Sequence, residues 1–120
     1  MTVPNILSLI GYFSIPQENA AKFRKNCAAM IDLKDREPGH LASAYSFAGE
    51  GQAVSREDYD SADAVLKHME IGQHVFESTR ELVEITAVEI HGPAQELARL
   101  REPFSAMSPR YFVTEFGFRR

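Results

Sequence analysis

The spacing of apolar and polar residues changes several times along the chain, and each change marks a predicted element. Residues 6–13 are apolar on both alternating faces, which is typical of a strand that is covered on both sides. From Pro16 to about Lys34, apolar residues recur at the spacing of one buried helical stripe. The same reasoning, with glycine and proline as boundaries, predicts the other elements. They are strands over 41–47 and 52–57, helices over 61–71 and 73–83 that part near Gly72, a strand over 84–91, a short helix over 93–101 and a last strand over 110–118.

This order predicts an α+β protein with a ferredoxin-like, split β-α-β antiparallel sheet that carries its helices on one face. The first strand has no polar face, and the last strand carries Tyr111 and Val113 opposite Phe112 and Phe116. The open face of the sheet is therefore expected to be apolar, and a face of that kind is sticky in a monomer. We predict a homodimer in which two such sheets close on each other.

Length and composition indicate one globular domain over residues 1–120, because 44% of the residues are hydrophobic and 25% are charged. A net charge of −4 disfavours nucleic acid and anionic membranes as partners. The chain has no apolar run of the roughly 18 residues that a membrane span needs. Residues 1–5 lack the charged start of a signal peptide, and Cys27 is the single cysteine. Both features predict a reducing, cytoplasmic location.

The predicted helix over 61–71 carries the first candidate for chemistry. Ala62, Val65, Leu66 and Met69 share one arc of that helix, and His68 lies at its edge. An imidazole at such a boundary can face a cavity between helix and sheet, where it can act as a base, an acid or a hydrogen-bond donor. The alternative is a partly exposed histidine that only packs locally.

His74 is the second catalytic candidate, although the break at Gly72 leaves its direction open. No metal site is expected from the two histidines, because six residues turn a continuous helix by roughly 240° and place them on different faces. No cofactor motif is present, so no cofactor is predicted. His40 and His91 stand at strand ends and are expected to be solvated.

Three residues are candidates for substrate binding. Tyr12 and Tyr45 fall on predicted strands, and a pocket tyrosine combines an apolar wall with a hydroxyl that can orient a ligand oxygen. Arg56 can stabilise a developing oxyanion if its strand points it inward. Core packing for the two tyrosines, and a surface ion pair for Arg56, are the alternatives.

Several short motifs make the chain resemble the antibiotic-biosynthesis-monooxygenase-like domains of the dimeric α+β barrel superfamily. The resemblance covers nearly the whole chain, with two departures: the histidines are six rather than five residues apart, and the chain has no tryptophan. The motifs are Gly-Tyr-Phe at 11–13, Glu-Pro-Gly at 37–39, Tyr45, Arg-Glu-Asp-Tyr-Asp at 56–60, His68 and His74.

The resemblance implies a dimeric barrel and a cofactor-independent monooxygenase that acts on a small aromatic molecule of the quinol or phenol type. In such an enzyme His68 would deprotonate the substrate hydroxyl, while Tyr12 or Tyr45 would orient it. The family also contains haem-degrading enzymes, isomerases of small metabolites and proteins with no established role. Two alternatives therefore stay open: a non-catalytic module that binds a small hydrophobic ligand, and an isomerase that uses His68 to move a proton.

Overall fold

Four α-helices pack on one face of a five-stranded sheet in the computed structural model, which describes residues 3–120. Met1 and Thr2, the start of the segment in which no signal peptide is predicted, lie outside the described residues. The strands are β1 (Leu7–Ser14), β2 (His40–Ala48), β3 (Gln52–Tyr59), β4 (Glu84–Gly92) and β5 (Arg110–Val113), and the helices are α1 (Ala20–Ile31), α2 (Ala62–Ile71), α3 (Gln73–Leu82) and α4 (Ala94–Leu100).

The strand order β2-β3-β1-β4-β5 confirms the predicted ferredoxin-like α+β fold. The sheet is mixed rather than wholly antiparallel, because β5 returns through α4 and pairs parallel to β4. The predicted last strand is also too long. Its ladder stops where Val113 meets Gly92, the final residue of β4, and residues beyond Thr114 find no strand to pair with.

Strand pairing decides which side chains face the helices. β1 lies between β3 and β4, and successive side chains of each strand point to opposite faces. The face under the helices carries Leu7 and Leu9 from β1 and Tyr59 from β3, all buried in one core cluster. The opposite face mixes apolar residues such as Ile10 and Val54 with Arg56 and other polar residues, so it is less apolar than predicted. Polar residues on that face include Ser8, Arg56, Asp58, Glu89 and His91.

The helix pair after β3 begins and breaks as the sequence predicts. Ser61 caps α2, since its Oγ accepts a hydrogen bond from the Ala64 amide at 3.1 Å. Gly72 separates α2 from α3, and a Cβ there would lie 3.1 Å from the Met30 side chain and 3.2 Å from the His68 carbonyl. The break therefore also brings α1 close to the end of α2. Within residues 3–120, no helix has both the length and the apolar content that crossing a membrane requires.

Candidate active site

His68 lies between two carboxylates in the interior of the protein. It follows Val65 by one helical turn on the buried side of α2, and the residue is only 4% exposed. Its Nδ1 is 2.6 Å from Oε1 of Glu37, which belongs to the turn before β2. Its Nε2 is 3.1 Å from Oε2 of Glu57 on β3. Residues 31 and 11 positions away in sequence therefore hold the two sides of a single imidazole.

This geometry favours the cationic form of His68. Ionised carboxylates only accept hydrogen bonds, so both ring nitrogens carry hydrogen when each faces one. Burial is the largest influence on His68 and opposes its charge, but the hydrogen bonds and charges of Glu57 and Glu37 outweigh it and raise the pKa of His68. Burial likewise opposes charge on Glu57. The hydrogen bond and charge of His68, with the hydrogen bond from Tyr59, nevertheless hold the pKa of that carboxyl below its usual value.

A second imidazole closes the arrangement into a cycle. His40 Nδ1 lies 3.4 Å from Glu37 Oε1, and His40 Nε2 lies 3.8 Å from Glu57 Oε2. Only 8% of the His40 side chain is exposed, and its ring stacks on Tyr59 with centroids 4.3 Å apart. The expectation of a solvated His40 is therefore wrong. We call these four alternating residues, Glu37, His68, Glu57 and His40, the Glu–His cycle.

Tyr59 fixes the position of Glu57. Its hydroxyl donates to Glu57 Oε2 at 2.7 Å, and the residue is fully buried. Burial and the negative charge of Glu57 raise the pKa of Tyr59 far above its usual value, so the phenol keeps its proton. Glu57 Oε2 therefore receives hydrogen bonds from both Tyr59 and His68.

Gly39 allows the turn that carries Glu37 to lie directly against α2. A Cβ at Gly39 would lie 2.7 Å from both the Ala64 Cβ and Asp60 Oδ1, closer than side chains can approach. The same turn is held by backbone hydrogen bonds from Asp60 N to the Gly39 carbonyl and from His40 N to the Glu37 carbonyl, each 3.0 Å long. The small residue in the Glu-Pro-Gly motif is thus what lets Glu37 reach His68.

Glu57 and His68 form one polar wall of a cavity between the sheet and the helices. The cavity contains about 800 Å³ of space, which includes the solvent at its mouth. Tyr45 adds a hydroxyl, and burial raises the pKa of this phenol far enough that it remains a donor. Most of the other walls are apolar. They include Leu9, Phe13, Phe23, Met30, Phe76 and Phe104.

The charge of the cavity restricts what can bind there. No lysine or arginine of residues 3–120 lines it, and the one cation, His68, already faces two carboxylates. A bound anion would therefore gain no free positive partner and would lie near Glu57. The cavity suits a neutral, largely apolar molecule with a polar group at the Glu57–His68 end.

The structure brings only part of the predicted site together. His68 and Tyr45 line the same cavity. Tyr12 and Arg56 lie on the opposite face of the sheet, where the Tyr12 hydroxyl contacts Glu89 Oε1 at 3.3 Å. His74 is exposed in the first turn of α3 and does not line the cavity.

Three members of the cycle also have the residue types of a metal site. The ligand atoms of Glu37, His40 and His68 lie within 4.8 Å of one another. However, an imidazole that donates from both nitrogens has no lone pair for a metal, and the 2.6 Å contact with Glu37 is that of a charge-assisted hydrogen bond. A hydrogen-bonded network accounts for this geometry.

Sequence analysis missed Glu37, His40 and Glu57. One signal for Glu57 was available, because it alternates with the buried residues Ala53 and Tyr59 on the same strand face. Glu37 lies in a Pro-Gly turn, and no periodic pattern there distinguishes an inward carboxylate from a solvated one.

Comparison with known proteins identifies relatives by structure. No protein-family profile matches the chain, and neither does any curated protein. The crystal structure of MupZ from Pseudomonas fluorescens is 32% identical, with a TM-score of 0.93, and the match covers 100% of this chain and 93% of that one. SnoaB from Streptomyces nogalater, a cofactor-independent oxygenase, is 13% identical with a TM-score of 0.64, over 72% of this chain and 90% of that one.

A candidate antibiotic biosynthesis monooxygenase from Nitrosomonas europaea shows a comparable level of similarity. It is 15% identical with a TM-score of 0.68, and the match covers 78% of this chain and 95% of that one. At these identities, it and SnoaB show the fold alone. The similarity to MupZ, at 32% identity over the full chain, shows family membership as well as the fold.

Proposed function

The chain belongs to the family of MupZ and folds as an antibiotic-biosynthesis-monooxygenase-like domain, and from this premise we propose that it is an enzyme that transfers protons on a neutral, apolar small molecule. The reaction we propose is cofactor-independent monooxygenation of a small aromatic substrate of the quinol or phenol type. The observation that supports an acid–base reaction is the buried Glu37–His68–Glu57 array at the wall of an apolar cavity.

The proposed roles follow from which groups hold protons. His68 and Tyr45 are donors, so they orient and stabilise the substrate oxygen. His68 and Tyr59 both donate to Oε2 of Glu57. We assign its other oxygen, Oε1, the role of accepting the hydroxyl proton of the substrate. Sequence analysis gave the role of base to His68. A ring already protonated on both nitrogens cannot fill that role, so Glu57 replaces it.

The oxidation step then needs no group from the protein. The deprotonated, electron-rich ring passes an electron to dioxygen, and the resulting radical pair combines at carbon to form a peroxide. When a CH2 group becomes a carbonyl in this way, the substrate loses two hydrogens and gains one oxygen, and the second oxygen leaves as water. The dry walls protect the intermediate from side reactions.

Oxygen uptake tests this proposal. A panel of quinols and phenols is supplied to the wild-type protein, and the substrate giving oxygen uptake is used for the variants. Glu57→Gln and His68→Gln should each reduce the rate at least tenfold, because they remove the base and the charged donor. His74→Gln is the matched control and should retain the wild-type rate. Unchanged uptake in both site variants would overturn the assignment.

A second reaction class is favoured by the charge on His68. A protonated imidazole beside a carboxylate offers a proton donor and a proton acceptor at once. An isomerase of a small metabolite needs this pair, and its reaction requires no dioxygen. Turnover under nitrogen that equals turnover in air would select this class. A ligand that raises the melting temperature without turnover in either atmosphere would indicate a binding module instead.

We also propose that the protein acts as a homodimer in the cytoplasm and has neither nucleic acid nor a membrane as partner. Exposed apolar side chains support self-association: Val113 is 51%, Phe116 81% and Phe118 75% exposed. The net charge of −4 supports the absence of polyanionic partners. A single buried cysteine, Cys27, is compatible with a reducing compartment.

A further inference from the structure

We infer that His40 is a proton relay that connects the buried cavity with the protein surface. This inference rests on the proposed function, because it concerns protons that reach Glu57 from a substrate. It assigns a role to an imidazole that does not line the cavity and that sequence analysis placed in solvent.

The position of His40 between two spaces is the first observation. Glu57 and His68 line the apolar cavity, and His40 does not. His40 instead lines a separate surface groove on the other side of the Glu–His cycle, together with Lys34, Ser43 and other residues. His40 is therefore the member of the Glu–His cycle on the groove side, while Met30 lines both spaces.

The second observation is an unused acceptor. Among the described residues, His40 Nε2 is buried without a hydrogen-bond partner, although it points toward Glu57 Oε2 at 3.8 Å. Its Nδ1 lies 3.4 Å from Glu37 Oε1, the nearer of the two carboxylates, and the relay assigns the ring hydrogen to this nitrogen. A bare Nε2 beside a carboxylate has nothing to bind while Glu57 is ionised. It gains a partner as soon as Glu57 carries a proton.

The relay follows from this arrangement and conserves protons. Glu57 gives the proton it has received to His40 Nε2, and His40 releases the hydrogen on Nδ1 toward Glu37 or water in the groove. Glu57 is then ionised again, and His40 is restored when its ring turns into the groove, where water removes the hydrogen from Nε2 and supplies one to Nδ1. His68 is not a carrier in this transfer, and Tyr59 keeps its proton while it stacks on the resting His40 ring and donates to Glu57.

Hydrogen exchange of the His68 ring tests the relay without any substrate. The ring hydrogens of His68 contact the same carboxylates, so they reach solvent by the same route as a proton on Glu57. In protein labelled with 15N-histidine, NMR measures how fast these two hydrogens exchange with water. His40→Phe keeps a flat ring against Tyr59 but removes both nitrogens, and we expect exchange to slow at least tenfold. His91→Phe, on the open face of the sheet, should leave the rate unchanged.

Two further variants separate a relay from a structural role. His40→Gln keeps polar atoms but cannot take up and release a proton, so it should slow exchange as His40→Phe does; it also carries the test if His40→Phe does not fold. His40→Ala opens the groove, and millimolar free imidazole should restore exchange there while leaving wild type unaffected. Wild-type exchange rates in His40→Phe or His40→Gln, or no rescue of His40→Ala, would overturn the relay. Because no turnover is measured, these results are independent of whether the proposed reaction is correct.

Discussion

Replacing His68 by leucine is the substitution that best measures what the buried array contributes to stability. The apolar side chain has a similar size, but it donates no hydrogen bond and carries no charge. The side chains of Glu37 and Glu57 are only 2% and 13% exposed, so both carboxylates would remain buried without their cation. Removing one partner of a buried ion pair typically costs about 3–5 kcal/mol.

That loss is large compared with the whole stability of the protein. A chain of 120 residues has an unfolding free energy of roughly 6–18 kcal/mol at the usual value per residue. We therefore expect His68→Leu to lose about 3–5 kcal/mol at pH 7. Urea unfolding, followed by circular dichroism at one fixed protein concentration, measures this loss.

The loss should also depend on pH in a specific direction. The pKa of Glu57 is lowered in the folded protein, so its contribution is present above the ordinary value of 4.5 and is lost as pH falls through the folded value. The pKa of His68 is raised, so its contribution is complete below 6.5 and is lost as pH rises through the folded value. Wild type should be most stable between these limits. In His68→Leu, Glu57 loses the cation that lowers its pKa and takes up a proton more readily at low pH, so the loss should shrink on acidification.

Two controls make this result decisive. His74→Leu changes an exposed histidine on the next helix and should alter stability by no more than about 0.5 kcal/mol. Adding Glu37→Gln and Glu57→Gln to His68→Leu removes the unpaired charges and should recover part of the loss. A loss below about 1 kcal/mol at pH 7, or a loss that is the same at pH 4.5, would refute the reasoning.

Three other properties follow from the structure. Gly39→Ala should lower the free energy of unfolding in urea by about 1–3 kcal/mol, because the new Cβ would lie 2.7 Å from the Ala64 Cβ. Gly51→Ala is the control, since the nearest atom to a Cβ there is 3.9 Å away. Equal losses in the two variants would contradict the argument. Cys27 should react with a thiol reagent at pH 8 at least tenfold slower than free cysteine, because burial raises its pKa to about 11; a rate equal to that of free cysteine would disagree. Light scattering at micromolar concentration should give twice the chain mass of 13.5 kDa, and a mass of 13.5 kDa would exclude the homodimer.

Local signals in the sequence were enough to predict most of the fold. The apolar stripe of α2 and the break at Gly72 each act within a few residues, and the structure places both where the sequence predicts them. The direction of β5 and its end at Val113 depend instead on where β4 stops. The end of β5 is set by its partner strand, about 20 residues away in sequence, and the β-propensity of its own residues does not predict it.

The site was harder to predict for the same reason. The helical stripe placed His68 at the edge of a buried face, and the structure puts its ring against the cavity. Glu37 is a partner only because Gly39 lets its turn touch α2, and such a contact leaves no period in the sequence. Tyr12 and Arg56 show the opposite case. Their strands were identified correctly, but pairing turned both residues to the far side of the sheet.

The protonation state of His68 tests the central claim most directly, because every role assigned to the site depends on a charged imidazole between two carboxylates. NMR of 15N-histidine-labelled protein reports whether each ring nitrogen carries hydrogen, and His68→Gln identifies the signals. At pH 6.5, where an ordinary histidine is half protonated, we predict that His68 is mostly in the form with hydrogen on both nitrogens. A neutral His68 at that pH, with one bare nitrogen, would contradict the account.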